Sequence, residues 1–190
     1  MIHPSAIIHD SAVIAPDVSI GPWTFVGPHV QIGSGSQVGS HVVIERNTRI
    51  GCHNRIFSQA ILGNDPQHLK YAGEETWLEI GDHNVIREFV TMSRGTPATG
   101  VTRVGHHGYF MSYVHIAHDC LVEDHVIFAN GASIAGHVTI GSHAILGAFS
   151  GVHQFVKIGA YSFLGRATKI YQDILPYMLV TGNPGGPRGL

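Results

Sequence analysis

Charge is scarce in this chain. Asp, Glu, Lys and Arg together make up 13% of its 190 residues, and the formal net charge is −2. No basic face points to nucleic acid as a partner. Long apolar runs are also missing. None reaches the ~18 residues a membrane helix needs, so no membrane insertion is expected. The start, Met1-Ile2-His3-Pro4, has neither the charged nor the apolar region of a secretory signal. Cysteine is limited to Cys52 and Cys120, too far apart for a CxxC motif. Reduced thiols in a cytoplasmic protein are therefore expected. The low charge does not mean disorder, because 44% of residues are hydrophobic and they are regularly spaced. Glycine and histidine are the residues in excess, 24 and 15 of them.

The spacing organises everything else. From Ile2, steps of six give Ile8, Ile14, Ile20, Val26, Ile32, Val38, Ile44, Ile50, Ile56 and Leu62, all aliphatic. Glycine often follows, as at Gly21, Gly27, Gly33, Gly39 and Gly51. Four residues after each aliphatic comes a small or β-branched residue, such as Ala6, Ala12, Val18, Thr24 and Val30. No α-helix has a period of six, and a simple strand has a period of two. A short flat strand followed by a turn, repeated, fits. Three such units close a triangular coil of about eighteen residues, and stacked coils bury the aliphatic column. The phase breaks at 63–79 and again at 93–103, then runs from Val104 through Ile170. These breaks read as two external loops on a rigid wall, where binding residues concentrate. The expectation is an all-β domain over 1–181 with roughly nine coils. The Gly/Pro-rich stretch 182–190 reads as an aperiodic exit segment.

The phase also sorts the histidines. His29, His41, His53, His83, His107, His125, His137 and His143 share the fourth place of their hexads, which is a turn. His3, His9 and His153 take the place usually held by glycine. His115 and His118 stand in uncommon places, in Val114-His115-Ile116-Ala117-His118-Asp119-Cys120. Stacking at about eighteen residues puts His118 beneath Gly136, and Gln154 one coil further, with His137 alongside. Histidine's ordinary pKa of ~6.5 suits a general base. A carboxylate on the far ring nitrogen fixes the tautomer and stabilises the imidazolium. A glycine N–H can stabilise a developing oxyanion. The bland alternative makes Asp119 a turn residue and His118 a surface histidine. A zinc site of the H-x4-H kind is not expected, because no two histidines are five residues apart.

Several runs then resemble one family. They are Asn64-Asp65-Pro66-Gln67, Leu69-Lys70-Tyr71, Gly73-Glu74-Glu75-Thr76, Ile86-Arg87-Glu88-Phe89-Val90-Thr91, Arg94-Gly95-Thr96, His115 to Cys120, Ala135-Gly136-His137 and Val152-His153-Gln154-Phe155. In this order, over essentially the whole chain, they resemble the UDP-N-acetylglucosamine O-acyltransferase family. Hexapeptide-repeat proteins form left-handed parallel β-helices and generally pack as trimers, so that handedness and a homotrimer follow from the resemblance. Tyr113, Phe149, Phe155 and Tyr161 are candidates for apolar contact surface. The family moves an (R)-3-hydroxyacyl group from acyl carrier protein to the sugar 3-hydroxyl, opening lipid A biosynthesis. The donor is a phosphopantetheine thioester, and no separate cofactor or metal is implied. By resemblance His118 is the base, Asp119 its partner and Gly136 the oxyanion donor. Gln67, His68, Lys70, His115, His137 and Gln154 correspond to substrate contacts.

The chain departs from the family pattern at four points. His68 stands where an aspartate usually contacts the sugar nucleotide. Ser93 replaces the usual Asn or His before Arg94. Arg166 occupies the place of an acyl-chain ruler, where glycine admits long tails. A buried arginine there resists desolvation, so donors of about ten carbons or fewer are expected. The family's C-terminal helical domain, which begins beyond a Gly-Leu like Gly189-Leu190, is not in this sequence. Two alternatives remain open at this stage: a hexapeptide acyltransferase using another nucleotide sugar or acyl-coenzyme A, and a non-catalytic trimeric paralogue.

Overall fold

The six-residue period is realised as two-residue strands joined by tight corners. The computed structural model describes residues 1–189, so Leu190 lies outside the described residues. Each strand pairs in parallel with the strand one coil on: Ile7↔Phe25, Val13↔Gln31 and Ser19↔Gln37. Three sheets of nine, eight and ten strands result. They are the faces of a left-handed parallel β-helix. The first face runs from Ile7–Ile8 to Lys169–Ile170 and contains His115–Ile116. The second runs from Val13–Ile14 to Lys157–Ile158. The third starts at Ser19–Ile20 and ends in a hairpin.

In the two-residue strands from Ser19–Ile20 onward the second residue points inward. Val26, Ile44, Leu62, Ile86, Phe110, Ile116, Ile140 and Leu164 are all fully buried. The small residue four places on fills the corner beside them, which is why Val30, Val42, Val90, Val114 and Val126 are buried as well. Polar residues at that place need partners in the dry interior. Thr24 donates to the Gly39 carbonyl, and Asn54 and Asn84 donate to those of Gly81 and Gly105.

The corners explain the histidines. His29, His41, His53, His83, His107, His125, His137 and His143 all have φ between 55° and 62°. Histidine is among the residues enriched in that left-handed conformation. The turn reading of these eight therefore holds. At the corner between the second and third faces the rings also stack. His53, His83, His107, His125 and His143 follow one another at 4.7–4.9 Å, and Tyr161 and Tyr177 extend the column.

Both loops leave the first face, and both are shorter than the broken phase implied. Strand pairing continues through Asn64 and resumes at Trp77, so 65–76 is irregular rather than 63–79. It continues through Ser93 and resumes at Val101, leaving 94–100 rather than 93–103. The extra residues are captured because Trp77–Ile80 and Val101–Val104 pair along their whole length. The stretch expected to be an aperiodic exit also differs. Gly185–Gly189 folds back antiparallel on Leu179–Gly182. Backbone hydrogen bonding to an open sheet end needs no side-chain period, so the sequence pattern carried no sign of it.

Candidate active site

The first face turns into the second at Ala117-His118-Asp119-Cys120. Asp119 takes the left-handed corner place, φ 61°. That turn folds its side chain back under the ring of the preceding residue. His118 Nδ1 lies 2.7 Å from Asp119 Oδ2. The second loop packs over the carboxylate and completes its shell. The Thr96 N–H donates to Oδ1 at 2.9 Å and the Thr96 hydroxyl to Oδ2 at 2.7 Å. The Thr99 hydroxyl donates to Oδ1. The Asp119 side chain is wholly buried. Burial alone would raise its pKa, but the hydrogen bonds from Thr99, Thr96 and His118 outweigh it and hold the carboxyl below its usual range. The residue behind His118 is thus a buried anion kept charged by the hydrogen bonds it accepts.

Gly136 sits one coil above, as the stacking places it. A Cβ on Gly136 would come within 2.5 Å of His118 Cε1, so no other residue fits over the ring without moving it. Among the described residues the Gly136 N–H donates to no other backbone group. His137 lies beside it, stacked on Phe155 at 4.6 Å and edge-on to His118 at 5.4 Å. Its Nε2 is 3.5 Å from Asp119 Oδ2. His68, from the first loop, meets His118 edge-on at 5.2 Å. His115 is fixed by Thr91, whose hydroxyl lies 2.8 Å from its Nδ1. Burial, and then the neighbouring His118, push the His115 pKa down.

These residues border a groove of ≈ 510 Å³ along the first face. Gln67, His115, His118, Gly136 and Gln154 line it, and Lys169 and Tyr171 stand towards its far end. A larger cavity, ≈ 640 Å³, opens beneath the first loop between Arg46, Glu75 and Trp77. None of the sequence-predicted site residues lines it.

Asp119, His68 and His137 reach the site through His118 without lining the groove, and two further predicted residues do neither. Lys70 is exposed on the first loop and does not line it. Arg166 is an exposed corner residue with its guanidinium 5.8 Å from the Phe149 ring centroid. Conversely, sequence reasoning assigned no role to Thr91, Arg94, Thr96 or Thr99. Stacking at one coil is the rule that paired His118 with Gly136. The loops add residues, so Thr91 meets His115 and Thr96 meets Asp119 at separations of 24 and 23. The Arg94-Gly95-Thr96 motif directly after a phase break was the one available signal.

His118, Asp119 and His137 also bring three possible ligand atoms within 4.8 Å of one another. Four donors already occupy the two Asp119 oxygens, and an ion there would have to displace them. The donor set therefore does not fit a resident metal.

No protein-family model matches the chain. Among curated proteins, the acyl-(acyl-carrier-protein)–UDP-N-acetylglucosamine O-acyltransferase of Thiobacillus denitrificans is 53% identical over 190 residues, covering 100% of this chain and 74% of that protein. The crystal structure of UDP-N-acetylglucosamine O-acyltransferase from Moraxella catarrhalis superimposes with a TM-score of 0.98 at 50% identity, again over 100% of this chain and 74% of that one. The Arabidopsis UDP-N-acetylglucosamine acyltransferase gives a TM-score of 0.84 at 36% identity, with 100% and 74% coverage.

Proposed function

Since the chain belongs to the family of acyl-carrier-protein-dependent UDP-N-acetylglucosamine O-acyltransferases, which open lipid A biosynthesis, we propose that His118 is the general base of that transfer. The observation that carries this reading is the His118–Asp119 pair, 2.7 Å apart through Nδ1, at the edge of the groove. With Nδ1 spent on the carboxylate, Nε2 is the nitrogen left to take a proton. It takes that proton from the sugar 3-hydroxyl as the oxygen attacks the (R)-3-hydroxyacyl thioester. Asp119 holds the tautomer and stabilises the imidazolium. The Gly136 N–H donates to the oxyanion of the tetrahedral intermediate. Collapse expels the phosphopantetheine thiolate of acyl carrier protein, which takes the proton back from His118.

Gln67, His68, His115, His137 and Gln154 are the substrate contacts in this reading. The first four surround His118 or lie beside it, which suits the sugar and the thioester. Lys70, exposed on the loop, is placed to meet a phosphate approaching from solvent. An acyl tail leading from His118 across the first face passes Gly151 and Lys169 towards the corner that carries Arg166. Arg166 is the proposed ruler at that end. The exposed aromatic rings of Tyr113, Phe149 and Phe155, together with Phe89, offer the contact surface of a homotrimer, while Tyr161 joins the histidine column. Among the described residues no helix is long and apolar enough to cross a membrane, and a cytoplasmic location goes with a donor carried by acyl carrier protein.

Turnover of acyl carrier protein thioester and UDP-N-acetylglucosamine by His118→Ala tests the assignment. The expected loss is about 10²–10⁴-fold, the worth of a positioned general base. A rate near that of the wild type would refute it.

A further inference from the structure

The second loop touches both Asp119 and the first loop. Arg94 is 1% exposed, the largest fully buried side chain in the chain. A guanidinium is buried at a high cost unless its donors are used. Here both terminal nitrogens are used on the first loop, while Nε has no partner. Arg94 donates to the Gly63 carbonyl, to the Asp65 carboxylate and, at 3.2 Å, to the Tyr71 hydroxyl. Those three points bracket Gln67, His68 and Lys70. Its own N–H donates to the Asn64 carbonyl at 3.0 Å. Two residues later Thr96, 4% exposed, gives both its N–H and its hydroxyl to Asp119. Gly95 between them packs against the Val101 backbone so closely that a Cβ would clash.

We propose that Arg94-Gly95-Thr96 is a brace whose two ends act separately: Thr96 positions the Asp119 carboxylate behind His118, and Arg94 positions the loop that closes over the acceptor side of the groove. Both are positioning residues, because neither lines the groove. The inference rests on His118 acting as the base. Its consequence is a split in the kinetics. Thr96 acts through the proton-transfer pair and so governs kcat. Arg94 acts through Gln67 and His68 and so governs KM for the sugar nucleotide.

The groups facing the carboxylate set the pH consequence. They are His118 at 2.7 Å, His137 at 3.5 Å, and the buried Cys120 thiol, which burial pushes up to about 12 and so keeps neutral. Removing the Thr96 hydroxyl takes away one of the donors that hold Asp119 low. The carboxyl pKa rises, protonation of the pair sets in at higher pH, and the acid limb of the kcat profile moves up.

The experiment is steady-state kinetics over pH on the full chain. Thr96→Val should lose about tenfold in kcat, the worth of one hydrogen bond to a charged group. KM should stay near its wild-type value and the acid limb should rise. Thr96→Ser should restore both. Thr99→Val, at an exposed residue that donates to the same carboxylate, gives the same readout without touching a buried side chain. Tyr71→Phe and Asp65→Asn remove Arg94's partners from the exposed end, and should raise KM for UDP-N-acetylglucosamine with kcat spared. Wild-type kcat and pH profile in both threonine variants, with His118→Ala inactive, would overturn the brace and leave the base assignment standing. An active His118→Ala would overturn both.

Discussion

The corner after the first face reads His118-Asp119, and the next corner along the same coil reads Asp124-His125. The two dipeptides differ only in order, yet the order decides their chemistry. In each pair the second residue takes the left-handed place, φ 61° for Asp119 and 58° for His125. With aspartate in that place, its carboxylate folds back onto the preceding ring and is buried. With histidine there, the ring turns outward and stacks on His107 and His143 at 4.8 and 4.7 Å. Asp124 is then left facing the coil beneath, where it accepts from the His106 N–H at 2.7 Å. Asp82, before His83, does the same for the Cys52 N–H at 2.6 Å. One order yields an imidazole backed by a buried carboxylate at a groove. The other yields a ladder of exposed rings whose neighbouring carboxylates each accept a backbone N–H from the coil beneath, Asp82 also facing the His106 ring at 3.2 Å.

That contrast can be broken most severely at Asp119. Asp119→Asn keeps the shape but gives Nδ1 an amide instead of an anion. Turnover should fall, by less than the ~10²–10⁴-fold expected of His118→Ala if Asp119 orients and stabilises without itself taking the proton. A larger loss than that of His118→Ala, measured in the same assay, would show the roles to be reversed. A subtler sharpening uses the third corner, where Arg166 lies exposed over Phe149. Donors of graded chain length should show wild type preferring short 3-hydroxyacyl groups and Arg166→Gly accepting longer ones. An unchanged preference in Arg166→Gly would mean the guanidinium stays in solvent and the tail never meets it. The smallest effect belongs to the ladder. His125→Asn keeps a residue that tolerates the left-handed corner and removes one ring from the stack. Stability should fall by about 1 kcal/mol or less, with turnover unchanged. Thermal unfolding and the standard assay check this together, and a loss of activity would give the ladder a catalytic role it has no geometry for.

How far the sequence could be read follows from the repeat. Wherever coils stack at a constant spacing, position fixes neighbourhood, so the buried column from Ile20 to Ile170, the eight corner histidines and the alignment of His118 with Gly136 were all legible. The loops ended that legibility. They shift register by amounts no pattern reports, so the contacts from Thr91 to His115 and from Thr96 to Asp119 could not be paired by counting. The boundaries of 65–76 and 94–100 blurred for a related reason: Trp77–Ile80 and Val101–Val104 are strand because they found each other, not because either carries the hexad.

The sequence by itself determined the coil and its period, because a column of aliphatic residues six apart is buried by stacking short strands, and it singled out His118-Asp119 as the pair on which the base proposal rests. Tertiary structure alone decided what keeps that aspartate charged. Burial raises the pKa of a carboxylate, and the donors that reverse the effect, Thr96 and Thr99, come from a loop that the repeat does not govern. It also decided that Arg94, a charged residue in a loop, would be the most deeply buried cation of the chain. Here a carbonyl, a carboxylate and a hydroxyl converge on the guanidinium, and no spacing rule in one dimension can announce that convergence.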